Sequence, residues 1–61
     1  MPIIQVQLIE GRSKEQIKNL IMNLTDTVSD TISAPKETIR VIVTEIPPTH
    51  WGKGGIPISE K

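Results

Sequence analysis

Sixty-one residues, seven basic and seven acidic side chains, no Cys and one aromatic residue make a small, neutral, aromatic-poor chain. Disulfides and thiolate zinc sites are excluded, a single His with scattered carboxylates offers no metal-ligand spacing, and the basic stripe of a nucleic-acid binder is missing. A domain of this length buries only about 60% of the surface its unfolded chain exposes, so oligomerisation is the remaining route to stability.

Taken in chain order, MPIIQVQLIEGR lacks the charged n-region and long apolar stretch of a signal peptide. No apolar run approaches the roughly 20 residues that span a bilayer, and a cytoplasmic protein is expected. Pro2 to Ile9 reads as a strand in which Ile4, Val6 and Leu8 alternate with Ile3, Gln5, Gln7 and Ile9. Pro is permitted where a strand starts, because no ladder hydrogen bond is lost there. After the connection Glu10-Gly11-Arg12, Ser13 and Gln16 form a capping box that opens a helix. Ile17, Leu20, Ile21, Leu24, Val28 and Ile32 then fall on one stripe. Ala34-Pro35 ends the helix, since Pro cannot continue it and disfavours helical geometry just before itself.

A β-branched run from Thr38 to Ile46 predicts the second strand, and Pro47-Pro48 breaks it. Strand, helix, strand is a βαβ unit with two parallel strands and a right-handed crossover. The tail THWGKGGIPISEK carries Gly52, Gly54 and Gly55 and predicts a flexible turn or short hairpin. The expected architecture is α+β, with residues 1–61 as a single domain. One helix covers one face of a two-stranded sheet. The other face also carries apolar residues, so a second copy of the chain is expected to pack or join there.

Little in this pattern carries chemistry. His50 reads as an exposed loop His, and Gly52-Lys53-Gly54-Gly55 reads as a turn, without the strand and helix of a dinucleotide fingerprint. Pro2 is more informative. Methionine aminopeptidases remove an initiator Met that precedes a small residue, which would leave Pro2 a free secondary amine. An α-amino group has a reference pKa of about 7.7–8.0, and cationic neighbours or an apolar pocket lower it. Such a base suits proton abstraction next to a carbonyl. Arg12 follows the first strand and Arg40 opens the second; Arg grips carboxylates through two parallel hydrogen bonds. Each Arg also has a plain reading: a solvated loop residue for Arg12, and for Arg40 a sheet-edge residue paired with an acid such as Glu45. Trp51 is either a plug at a subunit interface or one wall of a pocket.

Met-Pro-Ile-Ile, Leu8-Ile9-Glu10-Gly11-Arg12-Ser13, Ala34-Pro35, Ile39-Arg40-Val41-Ile42-Val43-Thr44-Glu45 and His50-Trp51-Gly52-Lys53-Gly54-Gly55 resemble 4-oxalocrotonate (2-hydroxymuconate) tautomerase over nearly the whole chain. The resemblance implies a β-α-β subunit with a short C-terminal hairpin, assembled through its sheets into a homohexamer, a trimer of dimers. It implies a cofactor-free isomerase of aromatic-compound catabolism that ketonises 2-hydroxymuconate to 2-oxo-3-hexenedioate. By the same resemblance Pro2 is the general base and Arg40 binds the proximal carboxylate and 2-oxygen. Arg12 binds the distal carboxylate, Trp51 walls the pocket, and the Ile9 main chain reaches the 2-oxygen through ordered water. The small-molecule dicarboxylate is the only ligand implied; no metal, nucleic acid or membrane enters. Trp51 replaces the Phe of the best-known members, and the Pro47-to-Gly52 ending is as similar to members linked to biosynthetic gene sets. The alternatives are another substrate on the same scaffold, including dehalogenation or decarboxylation, and a catalytically silent assembly module.

Overall fold

Two short parallel strands and one long helix carry most of the chain. The computed structural model describes residues 1–60, in the order β1 (Ile3–Ile9), α1 (Lys14–Ile32), β2 (Arg40–Ile46), β3 (Gly52–Lys53) and β4 (Ile56–Pro57). Single 3₁₀ turns occupy Lys36–Thr38, Pro48–His50 and Ile58–Glu60. This is the expected βαβ unit followed by a hairpin. Among the described residues no helix is long and apolar enough to cross a membrane.

β1 and β2 pair in parallel, with Ile3 opposite Arg40 and Ile9 opposite Ile46. Strand alternation sends Ile4, Val6, Leu8, Val41 and Val43 towards α1, and all are half-buried. Ile3, Gln5, Gln7, Ile42 and Thr44 stand exposed on the opposite face. Both ends of α1 are fixed by side chains. The Ser13 hydroxyl accepts the Gln16 N–H at 3.1 Å, and the Gln16 side chain accepts the Ser13 N–H at 3.2 Å. At the other end Ser33 adopts the left-handed conformation (φ 57°, ψ 38°), and Ser29 Oγ donates to the Ala34 carbonyl at 2.7 Å. The helix therefore closes at Ile32, before the Ala34-Pro35 stop.

The stripe is narrower than its sequence suggests. Ile17, Leu20, Leu24 and Val28 are half-buried, but Ile21 and Ile32 are exposed. Two strands about 4.8 Å apart make too narrow a platform to cover the whole apolar arc. The second strand also starts two residues later than the β-branched run predicts. Thr38 is held in the 3₁₀ turn by two bonds to the Pro35 carbonyl, from its N–H (3.0 Å) and its hydroxyl (2.7 Å). The C-terminal hairpin turns at Gly54 and Gly55, both at positive φ (63° and 86°), as a two-residue hairpin loop demands.

Only Ile39 is buried among the described residues (7% exposed). The accessible surface of 4705 Å² is about a fifth above the area of about 3,950 Å² typical of a monomer of this mass. The radius of gyration is 14.5 Å, against about 10.5 Å for a self-contained domain of this length. A lone copy thus leaves much of its apolar surface in water. Among the described residues β1 and β2 each also keep one unpaired edge, a template for joining another chain.

Candidate functional site

Parallel pairing puts the starts of both strands at one end of the sheet and their finishes at the other. Pro2 and Arg40 belong to the starting end, where the Arg40 N–H donates to the Pro2 carbonyl at 3.0 Å. The backbones touch, but the side chains diverge: Arg40 shares a face with Ile3, while Pro2 shares one with Ile4. Met1 is 81% exposed. With Met1 attached, the Pro2 nitrogen is an amide and has no basicity.

The Arg40 guanidinium is held by main-chain oxygens. Its Nη1 donates to the Glu37 carbonyl at 2.7 Å and, more weakly, to that of Ile39 at 3.5 Å. Arginine has five N–H donors, so the Nε–Nη2 edge stays free for the paired hydrogen bonds a carboxylate accepts. Pairing with Glu45 does not occur within the chain. Glu45 lies near the finish of β2, opposite Leu8 and on the other face.

Arg12, Ile9 and Trp51 occupy the finishing end. Arg12 Nη1 donates to the Ile9 carbonyl at 3.3 Å, which again leaves one guanidinium edge free. Glycine at position 11, with φ 135°, makes the sharp exit from β1 that brings Arg12 back towards that carbonyl. Trp51 is half-buried and fixed through its backbone: its N–H donates to Pro48 (3.4 Å), and its carbonyl accepts from Ile58 at the foot of the hairpin (2.8 Å). With Gln7, Ile46, His50 and Gly52 it walls a shallow groove on the sheet face away from α1. His50 Nδ1 lies 2.8 Å from the Thr49 hydroxyl.

The candidate residues thus form two groups. Six residue steps along β1 separate them by about 20 Å, much more than a six-carbon dicarboxylate can bridge. Within one chain the structure joins Arg12 to Ile9 and the Arg40 backbone to Pro2, and it leaves these pairs far apart. Gln7 and Ile46 in the groove went unmarked in the sequence, although the period-two pattern puts both on the face away from α1. The Glu37 carbonyl is a main-chain group and has no residue-type signal at all.

A family model described as "Tautomerase enzyme" matches residues 2–61. A probable tautomerase of Ralstonia nicotianae is 51% identical over 59 residues, covering 97% of this chain and 84% of its own. The 2-hydroxymuconate tautomerase of Pseudomonas putida is 47% identical over 60 residues, covering 98% and 95%. Among solved structures, a 4-oxalocrotonate tautomerase homologue of the tomaymycin biosynthetic pathway superposes with a TM-score of 0.93 at 42% identity, covering 97% of this chain and 91% of that one. A heterohexameric 4-oxalocrotonate tautomerase from Chloroflexus aurantiacus gives 0.91 at 37% identity, covering 98% and 97%.

Proposed function

Because the chain belongs to the tautomerase family, we propose that it is an isomerase that ketonises 2-hydroxymuconate-like dienols, with the freed amine of Pro2 as general base. The observation that carries the assembly is the separation of the two groups of candidate residues. An active site complete in Pro2, Arg40, Arg12 and Trp51 requires the starting end of one sheet to meet the finishing end of another chain's sheet. The opposite facings of Pro2 and Arg40 allow a third chain to contribute. Excess exposed surface and unpaired strand edges in the single chain support such an oligomer, and we assign it as a homohexamer. The Chloroflexus relative is hexameric, though built of more than one kind of chain.

Neutral Pro2 takes the proton of the 2-hydroxyl. The released O–H pair becomes the C2=O π bond, the C2=C3 pair moves to C3=C4, and the C4=C5 pair takes the proton from Pro2 at C5. No atom is gained or lost, and the amine returns to its neutral form. The free edge of Arg40 meets the proximal carboxylate and the 2-oxygen, where preorganised donors stabilise developing charge without reorganising. Arg12 holds the distal carboxylate and Trp51 closes the apolar side. Orientation at both ends keeps C5 within reach of the proton carried by Pro2. The Ile9 carbonyl accepts from Arg12, and its second lone pair can take an ordered water towards the 2-oxygen. In this reading the protein is cytoplasmic and serves the catabolism of aromatic compounds.

The likeness to a relative from the tomaymycin biosynthetic pathway favours a second reading of the substrate, a different enol on the same chemistry. Intact mass should first establish that Met1 is absent, and 2-hydroxymuconate is then followed by ultraviolet absorbance on the same sample. Turnover is expected. Inert protein lacking Met1 would overturn the assignment of this substrate.

A further inference from the structure

We infer that Thr38 is a positioning residue for Arg40, setting the direction of its guanidinium through the 3₁₀ turn Lys36–Thr38. The inference rests on the role proposed above for Arg40. Thr38 closes the turn with two bonds to one acceptor, the Pro35 carbonyl, from its N–H (3.0 Å) and its hydroxyl (2.7 Å). The Ile39 N–H donates to Lys36 at 3.1 Å and completes the turn. This conformation aims the Glu37 carbonyl forward along the chain to meet Arg40 Nη1 at 2.7 Å.

Three contacts keep the turn from drifting. Ile39, next to the turn, is the one buried residue among those described. Lys36 Nζ pairs with Asp26 on α1 at 2.9 Å, and the Arg40 N–H is fixed to Pro2. Both the base and the tip of the Arg40 side chain are therefore tied to main-chain groups on either side of β2's first residue. A long cationic side chain left free loses rotamer freedom when it binds a ligand. Here much of that loss is met in the fold, and among the described residues the Nε–Nη2 edge is left without a hydrogen bond. Removal of the Thr38 hydroxyl leaves a single bond to Pro35 and lets the Glu37 carbonyl swing away.

The test is a double-mutant cycle with 2-hydroxymuconate. Thr38→Val is expected to lower kcat/KM about three- to tenfold, the loss that goes with one hydrogen bond. Thr38→Ser restores activity to within about twofold, because it keeps the donor. In an Arg40→Ala background Thr38→Val costs nothing further, since the group it positions is gone. An equal loss in both backgrounds, or no loss in the first, overturns the inference; Thr38→Ala replaces the valine variant if that variant does not assemble.

A second readout separates this inference from the functional reading. The Arg40 Nε–H nitrogen resonance, followed by NMR on the full-length protein without substrate, should broaden or exchange faster in Thr38→Val and not in Thr38→Ser. If the wild type does not turn over the dienol, the functional reading fails alone and the resonance still decides the role of Thr38. An unchanged resonance would sink it.

Discussion

The two ends of the small sheet are built differently. At the starting end, the candidate residues are tied to backbone: Arg40 N–H to Pro2 and its guanidinium to Glu37, with buried Ile39 next to Arg40 in the chain. At the finishing end Arg12 makes one longer bond to Ile9, Trp51 rests on a hairpin that turns through two glycines, and the groove it walls is shallow. Charge that develops during a reaction is best met by donors that are already fixed. Recognition of a distant carboxylate tolerates a looser grip and gains from contact with a neighbouring subunit. On the proposed chemistry, the tightly held end suits the charge that develops and the loosely held end suits recognition.

The hardest way to break this comparison is at Pro2. Protein that retains Met1 should lose at least about a hundredfold in kcat, the contribution of a positioned general base, with unchanged circular dichroism. Pro2→Ala should fall between that form and wild type, since it leaves a primary amine. Stopped assays on samples of known intact mass check both.

Truncating each Arg sharpens the contrast. Arg40→Ala should cut kcat about 100- to 1,000-fold, as loss of a developing-charge donor does. Arg12→Ala should act mainly by raising KM, about 10- to 100-fold, as expected for a lost hydrogen bond to a charged group. Mixed oligomers refolded from the two impaired variants should regain part of the activity, because some sites then draw both Arg residues intact. Equal effects on kcat and KM at both positions would erase the division between the ends.

The smallest effect is expected at the outer brace. The Lys36–Asp26 pair is exposed, with side-chain accessibilities of 62% and 47%, so it adds little to stability. A hydrogen bond and the charge of Asp26 raise Lys36 above its ordinary 10.5. A raised ammonium contributes stability that is fully present below that value and is lost as pH rises through its folded pKa. Asp26→Asn should melt slightly below wild type at neutral pH, and thermal scans should show the gap closing above pH 10.5.

Much of this arrangement is legible in the chain. Alternation at Ile4, Val6, Leu8, Val41 and Val43 marks the buried face, and Ser13 with Gln16 marks the start of α1. Even the separation of Arg12 from Arg40 follows once the strands are taken as parallel, because one residue trails β1 and the other opens β2. Three features escape such reading. Thr38 looks like strand until its hydroxyl finds Pro35. Ile21 and Ile32 look like core until the platform proves two strands wide. The hold on Arg40 comes from the Glu37 carbonyl, which every residue type presents alike.

The exposure of Met1 has a practical side. A residue that is 81% exposed in the single chain leaves little trace on packing within it, so chains with and without it should fold alike. On the proposed chemistry only the second kind works. A preparation can then pass a test of folding while an unknown share of its sites is dead, and apparent kcat becomes a measure of processing. Counting sites by the share of chains whose intact mass lacks Met1, rather than by protein concentration, is the normalisation this chemistry demands.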